Sequence, residues 1–370
     1  MELNNEHLKA HASRWRTGRA KALAKRGLYE VWFVMVHDVE RAEAYWLRYT
    51  LLVPKVKLES ETLDAAGGVS ALWFAKFAAG DPSRNFVVKK SFPLSACRGT
   101  PASARPFEGQ EILQVGDRDA TLCLGAARAS FSTPAGRKVA WDLSFDHFLP
   151  PYKHVPLLAK LLRISTTIPV TTHPNLSVTG TIEVDGESRN LTGVPGNCTH
   201  ITGLRYSEPW VWAHCNAFEG NPGAWLALSG KAGKMTLAFH DGQAPYLFNG
   251  ISALRAVSYE SSLTRVVASA KRKDCQLRVE VEVPREALIG VEYAGPVGER
   301  MWCYNSEVAS AKVEVTDLGA NGGRAMRRRE FTSSASTAFE TTWLEPLESL
   351  PALAWEAEDA GDAEGADAGQ

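Results

Sequence analysis

Leu277-Arg278-Val279-Glu280-Val281-Glu282-Val283 alternates apolar and charged side chains without a break. One face of such an extended chain is oily and the other wet, which is a strand with one side on a core. Val178-Thr179-Gly180-Thr181-Ile182-Glu183-Val184 alternates similarly and runs into Asp185-Gly186. That pair suits a two-residue hairpin turn, because both residues tolerate left-handed backbone. The period of two, punctuated by Gly, Asp, Asn and Pro, recurs from Leu28 to about Trp343. Helical spacing is nearly absent in the middle, where Val155 to Leu162 offers two turns. Many short strands with regular turns specify a sandwich or a barrel.

A faint repeat divides the chain. A strand around Trp32 is followed by Trp46-Leu47-Arg48, and Trp210-Val211-Trp212 is followed at nearly the same interval by Trp225-Leu226-Ala227. Each half later carries a well-alternating strand, Trp141-Asp142-Leu143-Ser144-Phe145 in one and Leu277 to Val283 in the other. At 370 residues the chain suits two domains with buried cores. Pro169, His173-Pro174 and Asn175 break the pattern between Ile168 and Val178. The expected organisation is a basic N-terminal helix over 1–27, β domains over 28–170 and 171–346, and a disordered acidic tail over 347–370.

Composition narrows the function. A net charge of -1 argues against a general nucleic-acid partner. No secretory signal is readable, and no apolar run approaches the ~20 residues that span a bilayer. The six Cys are spread along the chain, unlike a compact disulfide framework, so free thiols and a cytoplasmic chain are expected. The sequons at Asn175, Asn190 and Asn197 then read as chance matches. Residues 8–26 hold seven bases and no acid, with Leu8, Ala12, Trp15 and Ala22/Leu23 at helical spacing. That is a short basic helix packed on a barrel exterior; weak contact with an anionic membrane surface and a lid over a barrel mouth are the other readings. Glu356 to Gln370 carries six acids among Ala and Gly, as a solubilising tail does.

The residues with most chemical content lie where the second half begins. Along Trp210 to Phe218, Trp210, Trp212, His214, Asn216 and Phe218 fall on one face and Val211, Ala213, Cys215 and Ala217 on the other. An aromatic face with a few hydrogen-bonding groups suits the wall of a ligand site; a core strand filled by Trp is the plain alternative.

The order Gly180-x-Ile182-x-Val184-x-Gly186, then Gly196…His200-x-x-Gly203, then Trp210-x-Trp212…Asn216-x-Phe218 resembles the carotenoid hydratase (hydroxyneurosporene synthase) group. Tocopherol cyclase and the lipocalin-like Diels–Alderases are similar. Tyr29-Glu30-Val31-Trp32-Phe33, Trp141-Asp142-Leu143, and Tyr293-x-x-Pro296-x-Gly298 with Cys303-x-Asn305-Ser306 extend the resemblance from Leu28 to Trp343. It implies a mainly β fold of two lipocalin-like antiparallel barrels or half-barrels in tandem. It further implies a cofactor-independent cyclase, hydratase or isomerase acting on an apolar isoprenoid or polyketide-derived substrate held between or within the barrels. The sequence departs from the group beside His200, where Cys198-Thr199 and Gly203-Leu204 stand, so no acid carries over to that position. A non-catalytic lipid or pigment carrier is the alternative, since such a barrel needs no chemistry to be useful. A scaffold has only the charged termini in its favour.

Adding water or a ring bond to an alkene needs one positioned acid and aromatic faces for a cation. Glu30, between Tyr29 and Val31 and on the face of Trp32 and Val34, is the first candidate; Asp142 and Glu260 follow. Arg48, on the face of Trp46 and Thr50, would pair with Glu30 or bind a substrate carbonyl. His200 and His214 are the candidate proton-transfer groups, because His titrates near neutrality. The expected set is thus Glu30, His200 and His214 for catalysis, with Trp32, Trp46, Arg48, Trp210, Trp212, Asn216 and Phe218 binding substrate. Cofactors are not expected. His214 and Cys215 are consecutive in a strand and point apart, which argues against zinc. No nucleophile elbow, Walker loop or His-Glu-x-x-His is present. Arg324 and Arg327 to Arg329 read as a solvated flank rather than a phosphate site.

Overall fold

The computed structural model describes residues 3–15, 19–56, 62–99, 111–116, 119–156, 165–250, 255–319 and 325–350. The expected acidic tail beyond 350 and most of the two helical turns at 155–162 lie outside them. The alternating segments form two antiparallel sheets in tandem, each rolled into a nearly closed barrel. The first holds β1 (Leu28–Asp38), β2 (Glu43–Val53), β3 (Val69–Ala78), β4 (Phe86–Pro93), β5 (Cys97–Gly99) and β6 (Glu111–Val115). It continues with β7 (Ala120–Cys123), β8 (Ala126–Ser132), β9 (Lys138–Asp146), β10 (Tyr152–Lys153), β11 (Thr167–Val184) and β12 (Glu187–Gly203). The second holds β13 (Trp210–Cys215), β14 (Ala224–Lys231), β15 (Lys234–Asp241), β16 (Pro245–Phe248) and β17 (Val257–Ser261). It ends with β18 (Arg265–Lys271), β19 (Cys275–Glu282), β20 (Ile289–Ala294), β21 (Arg300–Leu318) and β22 (Ala325–Trp343).

The first sheet runs in the order β4-β3-β2-β1-β12-β11-β9-β8-β7-β6-β5, and the second β16-β15-β14-β13-β22-β21-β19-β18-β17. In both, a long late strand returns to pair with the first one, β12 on β1 and β22 on β13. The chain therefore changes sheet between Gly203 and Trp210, and the boundary expected at 170/171 falls inside β11. Pro174 sits in the register shift between His173 and Leu176, where a bulge spares the ladder a missing N–H, while Pro169 pairs in register with Ile201. Asp185 and Gly186 both have positive φ (52° and 85°) and close the β11–β12 hairpin as their sequence foretold. Gly203 lies under Tyr29, whose ring carbons would stand 2.3 Å from any added Cβ.

Each barrel fills its own interior. In the first, Trp141 stacks on Phe74 (6.0 Å) and donates from Nε1 to the Tyr49 hydroxyl at 2.9 Å, beside Trp32 and Tyr45. In the second, Leu226, Leu237, Phe239, Leu277, Val279 and Phe331 close together. Among the described residues both interiors are lined by packed apolar side chains, as in small barrels. The third apolar layer is the seam where β1–β3 meet β13 and β20–β22.

The basic N-terminal segment is two short helices, α1 (Asn5–His11) and α2 (Ala20–Ala24), rather than one. Asn4 caps α1 through its side chain, which accepts from the Glu6 and His7 amides. Leu8, Trp15 and Ala24 are buried in the first barrel's interior cluster. The segment thus covers that core, and does not lie on the exterior. No described helix is long and apolar enough to cross a membrane.

Candidate functional site

The sequence-predicted residues separate into two groups on opposite faces of β1. Even-numbered side chains of β1 point into the first barrel, and odd-numbered ones into the seam. Glu30 is fully buried on the inner face. Its carboxylate accepts from Ser13 Oγ (2.8 Å), the Arg14 amide (2.9 Å) and the Trp15 amide (3.2 Å), and lies 3.3 Å from His200 Nε2. His200 in turn donates from Nδ1 to the Ala10 carbonyl (2.8 Å) and lies flat on Trp32, centroids 4.4 Å apart. Trp32 Nε1 donates to the His11 carbonyl at 2.9 Å. Glu30, Trp32 and His200 do converge, and the hydrogen bonds of Glu30, of Trp32 Nε1 and of His200 Nδ1 all go to residues 10–15, while His200 Nε2 faces Glu30 without a well-formed hydrogen bond. They clasp the N-terminal segment, on the face of β1 opposite the seam, so the structure does not bring Glu30 and His200 together with the other expected site residues.

Trp46, Arg48, Trp210, Trp212 and His214 come together in the seam. Register places Arg48 opposite Phe33 and Glu30 opposite Leu51, on different faces of the sheet. The expected Arg48–Glu30 pair does not form. The aromatic face of β13 meets the first barrel, with Trp212 edge-on to Phe33 (5.6 Å) and Trp210 stacked with Tyr206 (5.7 Å). Val211, Ala213 and Cys215 enter the second barrel instead. Tyr29 and Tyr206 (4.4 Å) and Trp73 and Tyr293 (6.1 Å) extend the same wall. Asn216 donates to the Gly196 carbonyl (2.6 Å) and Asn175 Oδ1 (3.0 Å), tying the barrels together. Phe218 lies beyond the end of β13, where alternation has stopped, and packs on Phe239 and Phe331 in the second barrel's core.

Into this wall project groups that the sequence reading passed over. Glu307, on β21, is 1% exposed, and its Oε2 lies 3.9 Å from His37 Nε2 at the end of β1. Burial, reinforced by the charge of Glu340, holds the Glu307 carboxyl well above the usual carboxylate range. Burial also pushes the His37 imidazole down to about 4. His214 falls to about 3 through burial, with His37 and His154 adding repulsion. Burial thus favours the protonated form of Glu307 and the uncharged forms of His37 and His214. Glu307 Oε2, both side-chain polar atoms of Asn197, Thr199 Oγ1, Trp46 Nε1 and the ring nitrogens of His37 and His214 make no well-formed hydrogen bond within the protein. Buried polar atoms are normally partnered, so their gathering on one wall makes the seam the candidate site. Glu307 follows Cys303-x-Asn305-Ser306, and an acid before Val308-Ala309 in a strand was the available signal.

The other candidate acids face water: Asp142 pairs with Arg128 at the surface and Glu260 is exposed. Arg328 and Arg329 are held by Glu314 and by Asp241 with Asp317, as a structural flank. A cleft of about 510 Å³ opens beside Tyr45, Lys76, Arg84, Arg137 and Arg189 on the first barrel. Its cations are paired, Lys76 and Arg84 with Glu43, Arg137 with Asp185 and Arg189 with Glu187, and it contains none of the predicted residues. All six cysteines are free and buried.

No protein-family model matches the chain, and no curated protein matches it. Among solved structures it is similar to CghA with Sch210972, at 10% identity over 86% of this chain and 88% of that one, TM-score 0.47. Kievitone hydratase from Nectria haematococca is similar at 6% identity over 89% and 93%, TM-score 0.44. A protein of Nitrosomonas europaea provisionally assigned as AttH is similar at 12% identity over 85% and 91%, TM-score 0.44.

Proposed function

We propose that the seam is the active site of a cofactor-independent cyclase, hydratase or isomerase acting on an apolar isoprenoid or polyketide-derived substrate. One observation carries the reading: Glu307 is a carboxyl 1% exposed on the seam, its protonated form favoured by burial, with His37 Nε2 3.9 Å away. A neutral acid in an apolar wall is what alkene protonation requires. In hydration, the Glu307 proton passes to one alkene carbon and a water oxygen bonds the other. The proton that this water then sheds restores the acid. In ring closure a second alkene takes the place of water, and a proton lost from carbon returns to Glu307. Trp212, Phe33 and Trp73 offer ring faces and edges along the cation's path.

The test is incubation of the purified protein with host lipid extract, followed by native mass spectrometry and chromatography of the extract. A bound species that is converted to an isomer, or to a product heavier by one water, supports the reading when Glu307→Gln stops conversion and keeps binding. Recovery of the same lipid unchanged from both proteins makes the chain a carrier.

A further inference from the structure

Arg48 is 4% exposed, yet among the described residues no carboxylate pairs with it and its Nε and Nη1 make no hydrogen bond. Its guanidinium instead lies among three rings, 4.1 Å from the centroid of Tyr293, 4.8 Å from Trp73 and 5.1 Å from Trp46. Cation–π contact offsets part of the cost of burying this charge, but rings cannot accept the N–H bonds. The Glu340 charge favours Arg48 from a distance, but its oxygens accept from Trp210 Nε1 and the Tyr293 hydroxyl (3.3 Å) and make no ion pair with the guanidinium. A buried cation with no carboxylate in direct contact is among the costlier features a fold can carry.

We infer that the substrate of this seam carries an anionic group, a carboxylate or the enolate of an equally acidic enol, which seats on Arg48 as its directly bonded counter-ion. The inference rests on the reading of the seam as the substrate site. A planar guanidinium with two free N–H directions is matched by the two oxygens of such an anion. The substrate is then amphipathic: its head lies at Arg48, and its apolar body runs along the aromatic wall.

Matched probes test this. Retinoate against retinol, and dodecanoate against dodecanol, are titrated into the full-length protein with tryptophan fluorescence and calorimetry as readouts. Charge-assisted hydrogen bonds in a desolvated site predict that each acid binds about ten- to a hundredfold tighter than its alcohol. Arg48→Met, which keeps an unbranched side chain among the rings, should bring the acid down to the alcohol. Arg48→Lys should keep part of the preference. Equal binding of acid and alcohol by the wild type, or a preference that survives Arg48→Met, overturns the inference and leaves the seam reading standing. Failure of all four probes to bind the wild type overturns both. The wild-type comparison remains decisive should Arg48→Met not fold.

Discussion

Replacing Glu30 with Ala should undo the clasp over the first barrel, and the structure fixes the expected size. The carboxylate is fully buried and gathers the Ser13 hydroxyl, the Arg14 and Trp15 amides and the His200 ring. Each buried donor left without a partner costs roughly 1–3 kcal/mol. The full sum does not apply, because the Ser13 hydroxyl rotates and exposed Arg14 lets its amide turn to water. The buried Trp15 amide, which loses the Glu30 carboxylate as acceptor, sets the expected cost at about 1–3 kcal/mol. The cost is also capped by the alternative of undocking, which exposes Leu8 and Trp15, 1% and 3% exposed in the folded chain. Two measurements check this: urea unfolding of the first barrel, and hydrogen exchange of peptides covering residues 4–15. Glu30→Ala should lower stability by that amount and deprotect residues 4–15 before any strand. A loss below about 1 kcal/mol with unchanged protection at 4–15 would refute the clasp and return Glu30 to the candidate catalytic groups.

Acid should destabilise the protein well before its carboxylates titrate. His37 is depressed from 6.5 to about 4, and His154, His173 and His214 to about 3, chiefly by burial. The unfolded chain takes up these protons near pH 6.5 and the folded one does not. Stability present above 6.5 is therefore lost as pH falls toward 4, by ~1.4 kcal/mol per pH unit for each ring. Urea midpoints at pH 7, 6 and 5 should fall steeply, and His214→Asn should flatten the slope by about one proton; a level profile counts against burial of neutral rings. Glu307 has the opposite sign, since its raised folded value gives stability below 4.5 that is lost as pH rises through that value. Glu307→Gln should consequently gain on the wild type as pH rises from 4.5, and a constant difference would show an ordinary carboxylate. Gly180→Ala should cost about 3 kcal/mol, because φ is 144° and a Cβ would stand 2.0 Å from the Asp142 carbonyl oxygen. Thermal unfolding of the variant reads this directly.

Much of the architecture was legible because alternation reports burial directly. Leu277, Val279, Val281 and Val283 are buried as read, with Arg278 and Glu282 exposed. The division of Trp210 to Cys215 into two faces also holds. What each face meets was not legible, because a strand at the seam buries both sides and the sequence does not say which side is a neighbour and which an interior. The sheet boundary was misplaced because Pro169 and Pro174 signal a break locally, whereas β11 runs on through both, in register at Pro169 and by a bulge at Pro174. Glu30 drew attention as an acid among bulky apolar neighbours, and those neighbours do bury it. Its partners lie 15 to 17 residues upstream in an irregular segment, where no periodic pattern points to them. Glu307 and His37 are distant in sequence and meet only across the seam, so neither stood out alone.

The position of a bound ligand tests the seam most directly. A crystal structure of the protein after incubation with host lipid extract should show the ligand between β1–β3 and β20–β22, touching Trp212 and within hydrogen-bond reach of Glu307. Ligand density inside either barrel, or in the charged cleft beside Arg84 and Arg137, with the seam side chains unmoved, would contradict it.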